Sequence, residues 1–230
     1  MLRQLEPELM DDLHLPEAPH RDALRALGRL NWWGRSAQIL WRAIRPLASQ
    51  RAPLRILDVA TGGGDIPIAL WRLARRDGVL LNLDGCDRSP VAIEHARTHA
   101  RAAGAPVGWF VRDALANPLP ADYDVITCSL FLHHLNDLEA IELMKRMRAA
   151  ARRLVVIHDL TRSDFGVAMT WLASRLLSRS PIVRHDAPQS VRAAFTLDEI
   201  AMCARLADLP GYRLSRRWPS RFLLSWTPPA

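Results

Sequence analysis

The stretch Leu54-Arg55-Ile56-Leu57-Asp58-Val59-Ala60-Thr61-Gly62-Gly63-Gly64-Asp65 constrains this chain more than any other. A short run of branched apolar residues carries one acid, then gives way to a glycine cluster and to helical periodicity. This is the pattern of a buried strand turning into a helix. In open α/β sheets ligands sit beyond the carboxyl ends of the strands, and glycines there let a bound group come close to the backbone. The junction is therefore the expected binding site.

The rest of the chain repeats the theme. Strands are predicted over Val79–Cys86, Pro106–Val111, Asp122–Leu130 and Leu154–Ile157, separated by helices that end near Asp77-Gly78, start at Ser89-Pro90, and cover Leu138–Ala150. Strands alternating with helices imply a Rossmann-like, doubly wound, mostly parallel sheet with right-handed crossovers. Two alternating segments, Tyr212–Trp218 and Arg221–Trp226, read as a C-terminal antiparallel hairpin at the sheet edge, preceded by a helix with capping-box spacing at Thr196 and Glu199. Residues 1–20 are polar and proline-broken and are expected to wrap the surface loosely. Leu24, Leu27, Leu30, Ile39, Leu40 and Ile44 then recur at helical spacing, with Gly28 and Gly34 dividing the segment into two helices. The division is thus residues 1–50 as an N-terminal helical extension, placed to act as a lid, and 51–230 as the sheet domain. Within the latter, about 160–195 form a substrate-side insertion: an apolar helix over Phe165–Leu177, then an Arg/Pro-rich loop over 178–195.

A net charge of +7 raises the question of a nucleic-acid partner. The cations are spread in pairs such as Arg75-Arg76 and Arg216-Arg217, and Lys145 is the single lysine. Without a dense basic stripe and interleaved aromatics, a nucleic-acid partner is not expected, and an RNA or protein substrate stays a secondary alternative. Cys86, Cys128 and Cys203 lack metal-ligand spacing and read as reduced core residues. With no leader pattern and no apolar run long enough to span a bilayer, the chain is expected to be cytoplasmic.

Acids at successive strand ends select the ligand. Asp58 closes the first strand, Asp87 the second and Asp113 the third, so the three line one edge of the sheet. A carboxylate after strand two suits a ribose diol, because it accepts two hydroxyl hydrogen bonds. A dinucleotide fingerprint would need its third glycine where Pro67 stands, and Asp58 would repel a pyrophosphate. A cationic, phosphate-free adenosine ligand fits better.

The segment from Leu57 to Gly64 resembles motif I of the class I S-adenosylmethionine-dependent methyltransferases, D-x-G-x-G-x-G, with Ala60 in place of the first glycine. Cys86-Asp87-Arg88-Ser89-Pro90 resembles the family's ribose-binding strand end, and Arg112-Asp113-Ala114 its adenine-binding one. The resemblance implies S-adenosyl-L-methionine as cofactor. The backbone at Ala60, Gly62 and Gly64 would cradle its methionine portion, with Thr61 in the same loop and Asp58 ordering it. Asp87 with Arg88 would hold the ribose, Asp113 and Ala114 the adenine, and Ser129 would face the methionine.

For a hydroxyl acceptor the protein must also remove a proton, which points to histidine. The candidates are His133, His134, His158 and His185, with His133 favoured; one of the adjacent pair is expected to pack inward, because strand neighbours face opposite sides. Quinone-biosynthetic O-methyltransferases with a similar fourth-strand loop show E-x-x-E-H, whereas this chain reads Leu130-Phe131-Leu132-His133-His134. With both carboxylates missing, no metal is expected. Met10-Asp11-Asp12, Arg29-Leu30-Asn31, Arg184-His185-Asp186 and Ser190-Val191-Arg192 resemble a bacterial quinone-biosynthesis-like subgroup associated with type III polyketide pathways to phenolic lipids. That implies a small phenolic or quinol acceptor methylated on oxygen, with methylation of a quinol ring carbon as the alternative. The apolar Phe165–Leu177 helix suits either a cover over the substrate pocket or a peripheral membrane contact. The oligomeric state is left open.

Overall fold

The computed structural model describes residues 1–9 and 16–229; the Met10-Asp11-Asp12 motif lies outside them. Seven strands form one sheet in the order β3-β2-β1-β4-β5-β7-β6. They are β1 (Leu54–Val59), β2 (Leu81–Asp87), β3 (Val107–Val111), β4 (Tyr123–Ser129), β5 (Ala151–Leu160), β6 (Arg213–Arg217) and β7 (Arg221–Trp226). The first five are parallel, and β7 pairs antiparallel with both β5 and β6. This is the predicted Rossmann-like sheet with its terminal hairpin. From β1 the chain builds outward to β3, then returns to β4 on the other side of β1. The strand order reverses there, and that opens a crevice at the carboxyl ends of β1 and β4.

Alternation along the strands divides the core into two layers. Leu57, Val59, Ile126, Cys128, Val155 and Ile157 face α5 (Asp137–Ala150) and α8 (Leu197–Leu206). Ile56, Val125, Val156 and Leu223 face α2 (Ser36–Ile44) and α3 (Asp65–Arg76). The three cysteines are free and buried in the layer facing α5 and α8. Among the described residues, no helix is long and apolar enough to cross a membrane.

Four sequence expectations change. Gly28 does not divide the extension: α1 runs unbroken over Glu17–Trp33, and the break falls at Gly34-Arg35, where Arg35 adopts φ 54°. A single helical glycine costs only about 1 kcal/mol, which packing outweighs. The 178–195 segment is not a loop, because α7 spans Pro181–Ala193 and follows α6 (Asp164–Leu177). Pro181 stands in its first turn, where no donor is lost, and Ser180 caps it. β5 runs over Ala151–Leu160, beyond both ends of Leu154–Ile157, because β4 and β7 pair along it. Finally, residues 1–9 are tied down. The Arg3 guanidinium donates to Ala193 O and Leu135 O, both at 2.6 Å, and stacks 3.6 Å over the Phe195 ring, while the Gln4 amide donates to Arg192 O at 3.1 Å.

Candidate active site

The glycine junction folds into three consecutive constraints. Ala60 (φ 53°), Gly62 (φ 53°) and Gly64 (φ 76°) all take the left-handed conformation that turns β1 into α3. Ala60 pays for this with strain of about 1–2 kcal/mol. The backbone at that position is therefore of the glycine type, although alanine stands there. Asp58, buried at the strand end, accepts hydrogen bonds from the hydroxyls of Thr61 (2.8 Å) and Thr127 (2.7 Å), which fixes the loop to β4. Burial drives its pKa up to about 7, although both hydroxyls act to lower it. Asp87 braces the loop from the other side, accepting from the Gly62 amide (2.8 Å) and from the Ser89 amide at the head of α4 (Pro90–Ala103) (2.9 Å). Asp113 accepts from the amides of Leu115 (2.7 Å) and Ala116 (3.1 Å).

These groups surround a cavity of about 350 Å³ at the carboxyl ends of the strands. Its wall includes Asp58, Ala60, Thr61, Gly62, Asp87, Arg88, Asp113, Ala114 and Ser129, so nine of the ten cofactor residues anticipated from the sequence come together. Gly64 is the exception. A methyl there would fall 2.5 Å from the Trp109 ring and 2.9 Å from Ala96, so glycine is demanded by packing behind the loop and not by a ligand in front of it. At Gly62 the space is open, since an added methyl would meet only Leu24, 4.0 Å away.

Three observations test whether the wall fits S-adenosylmethionine. Gly62 leaves the backbone accessible. The Ser129 hydroxyl is buried and has no hydrogen-bond partner in the protein. Asp58 and Asp65, both on the wall, have pKa values raised by burial, although the Asn31 amide donates to Asp65 at 2.8 Å. Such carboxyls favour a cationic ligand, which a sulfonium or an amino group supplies. The residues fit the cofactor.

Past Ser129 the chain enters a 3-10 turn over Leu132–His134. In a strand His133 and His134 would face opposite sides, but successive residues of a 3-10 turn point about 120° apart. Both therefore reach the cavity, with ring centroids 4.4 Å apart, correcting the expectation that one packs inward. His133 is buried, and its Nδ1 lies 2.7 Å from the Asp159 carboxylate, which also accepts from the Phe131 amide at 3.0 Å. Burial acts to raise the Asp159 pKa, but the contacts with His133, the Leu160 amide and His134 together leave it lowered. An ionised Asp159 accepts the Nδ1 proton, which leaves the Nε2 lone pair of the neutral ring available.

The structure does not bring the other two histidines to this wall. His158 is fully buried beneath it, its pKa pushed down to about 3 by burial, with neither ring nitrogen hydrogen-bonded. His185 is largely exposed on α7, its Nδ1 3.0 Å from Asp186. In their place comes Glu8, which the sequence did not suggest: its carboxylate lies 3.7 Å from His133 Nε2 and 3.9 Å from His134 Nε2, and accepts from the Ser190 hydroxyl. The carboxylate missing from the 130–134 loop thus arrives from the N-terminal segment, so the sequence argument against a metal loses one of its premises. Leu30, Asn31 and Trp33 of α1, and Met169 and Thr170 of α6, complete the wall.

A strand-order reversal with a glycine loop and acids from three strand ends around one cavity is the arrangement of a class I S-adenosylmethionine-dependent methyltransferase, and the chain belongs to that family. A family model described as a methyltransferase domain matches residues 56–153. Over 194 residues the chain is 31% identical to a ubiquinone biosynthesis O-methyltransferase of Ralstonia nicotianae, covering 77% of this chain and 75% of that one. It is 36% identical over 142 residues to a demethylmenaquinone methyltransferase of Thermus thermophilus, covering 61% of each. The chain thus spans about six-tenths of that relative's length. An O-methyltransferase family protein from Burkholderia thailandensis shares the fold with a TM-score of 0.63 at 21% identity, covering 90% of this chain and 59% of that one.

Proposed function

We propose that the protein transfers the methyl group of S-adenosyl-L-methionine to a hydroxyl of a small phenolic or quinol-type acceptor, and that His133 removes the hydroxyl proton. The cofactor, when bound, supplies an already electrophilic methyl group. The chain has to bind, align, exclude water and accept one proton. The observation that carries the reading is the Asp159–His133 pair on the same wall as Ser129 and the glycine loop. Asp159 holds the imidazole in the tautomer whose Nε2 faces the cavity, and a phenol of pKa about 10 needs no stronger base than a histidine near 6.5. Asp58, Ala60, Thr61 and Gly62 position the methionine end, Asp87 and Arg88 the ribose, and Asp113 and Ala114 the adenine. The α1 helix, whose Asn31 reaches Asp65, serves as the lid.

Names among the relatives favour a quinone-pathway acceptor, and the phenolic-lipid resemblance narrows it to one with a long alkyl chain. Phe165, Trp171, Leu172 and Leu176 stand exposed on α6, which suits delivery of such an acceptor from a membrane surface. The demethylmenaquinone relative supports a second reading, methylation of a quinol ring carbon after the same deprotonation. A labelled-methyl screen over alkylresorcinols, quinols and flavonoid-like phenols, with fragmentation of the products, tests both. His133→Ala should lower turnover at neutral pH and recover partly as pH approaches the phenol pKa. An unaltered pH profile would move the base elsewhere.

A further inference from the structure

At the far end of the same cavity stands a buried cation that the proposed transfer does not use. Arg221 opens β7, paired across the sheet with Leu160 and Arg217, and is only 7% exposed. Its Nε and Nη1 have no hydrogen-bond partner, and among the described residues no carboxylate forms an ion pair with it. The nearest acid acting on it, Asp159, is already committed to His133 and to the amides of Phe131 and Leu160. Burial lowers the Arg221 pKa to about 10, and at neutral pH the group remains charged.

Its seat is shaped for it. A methyl on Gly34 would lie 1.4 Å from Nη1 and 2.3 Å from Cζ, so the guanidinium fills the space beside the break between α1 and α2. Gly34 has φ −72°, which any residue adopts, so glycine is needed there for the space the guanidinium fills. A guanidinium held this way without a counter-ion is costly, because a buried charge lacks what water supplied. Its planar fork matches a carboxylate with two parallel hydrogen bonds.

We infer that Arg221 is the anion-recognition residue of the acceptor pocket, and that the acceptor is a phenol or quinol bearing a carboxylate, held by that guanidinium while its hydroxyl faces His133. This rests on the reading that the pocket beside His133 holds the acceptor. A second source of the same chemistry is the α-carboxylate of the cofactor. Strand order argues against it: β7 lies three strands from β1, about 14 Å across the sheet. Ser220, next to Arg221 in the chain, packs on α6, where a methyl added to Gly166 would lie 2.8 Å from Ser220 Cβ.

The test uses binding, so it does not depend on turnover. Hydroxybenzoates and the matching hydroxybenzamides differ in charge at nearly constant shape. Calorimetry with the S-adenosylhomocysteine-bound protein should show an acid bound at least about tenfold tighter than its amide. Arg221→Gln should bring that ratio to within about threefold while S-adenosylhomocysteine affinity stays within about twofold. Gly34→Ala keeps the charge but displaces the guanidinium, and should also reduce the ratio; it serves if Arg221→Gln does not fold. No acid preference in the wild type, or a preference untouched by both variants, overturns the inference. Loss of S-adenosylhomocysteine affinity in Arg221→Gln with the acid–amide ratio intact also overturns it and assigns the cation to the cofactor carboxylate. If the acid preference depends on Arg221 but no phenol or quinol accepts labelled methyl, the transfer reading fails and the anion site stands.

Discussion

Replacing Asp87 by alanine removes a carboxylate that does two jobs. Its oxygens take the Gly62 amide at 2.8 Å and the Ser89 amide at 2.9 Å, and the residue lines the cavity. Two ribose hydroxyl bonds to an ionised, partly exposed acceptor contribute roughly 1–2 kcal/mol each, and freeing Gly62 adds the cost of re-ordering the loop on binding. The expected loss of cofactor affinity is about 2–4 kcal/mol, or about 30- to 900-fold in Kd. Loss of the two backbone bonds should cost the fold only about 1–2 kcal/mol, which a domain of ordinary stability survives. Titration calorimetry with S-adenosylhomocysteine reads the affinity, and a thermal melt confirms folding. Asp87→Asn, which keeps one acceptor oxygen, should fall between the two. A folded Asp87→Ala protein whose Kd moves less than about threefold would refute the assignment of the ribose site.

Other perturbations probe the buried groups. Asp58 holds its proton more tightly in the folded protein than in the unfolded chain, so stability should fall by up to about 4 kcal/mol as pH rises from about 4 to 7; Asp58→Asn should flatten that slope in urea titrations. His158 behaves oppositely. The unfolded chain protonates it near pH 6.5 and the folded one only near 3, so stability should fall with pH through that window, and His158→Leu should remove the acid sensitivity without loss of a hydrogen bond. Wild-type protein would show only the difference of the two slopes, so an unchanged profile in either variant counts against its assignment. Gly64→Ala should destabilise the fold by about 2–3 kcal/mol in chemical denaturation, from left-handed strain plus the clash with Trp109. Zinc bound across Glu8, His133 and His134 would occupy the Nε2 that takes the proton. Equimolar zinc should therefore inhibit transfer, Glu8→Gln should relieve the inhibition, and a chelator should leave untreated enzyme active.

The wall of acids was legible because its pattern is local. An apolar strand followed at once by an acid states both the element and the sheet edge that carries the acid, which is why Asp58, Asp87 and Asp113 converge on one wall. The acceptor half was not. Glu8 reaches His133 only because Arg3 and Gln4 clamp the N-terminal segment to the region between Leu135 and Ala193, and no nearby residue pattern announces that. Arg221 gave a faint signal, a charge at an inward position of the apolar strand Arg221–Trp226. The α7 helix stayed hidden because its buried face is built from Asp186, Gln189 and Ser190 as much as from Val183 and Val191, leaving no apolar period to count.

The sheet order also separates the two halves along the gene. The residues assigned to the cofactor come from one continuous stretch, Asp58 to Ser129, lying inside the 56–153 segment that the family model matches. The rest of the cavity comes from the turn that follows, Leu130 to His134, and from the chain's two flanks, with Glu8, Leu24, Leu30, Asn31 and Trp33 at one end and residues between Leu160 and Arg221 at the other. A chimera that carries this chain's flanks and its Leu130–His134 turn on a relative's middle should keep the relative's S-adenosylhomocysteine affinity and adopt this protein's acceptor preference.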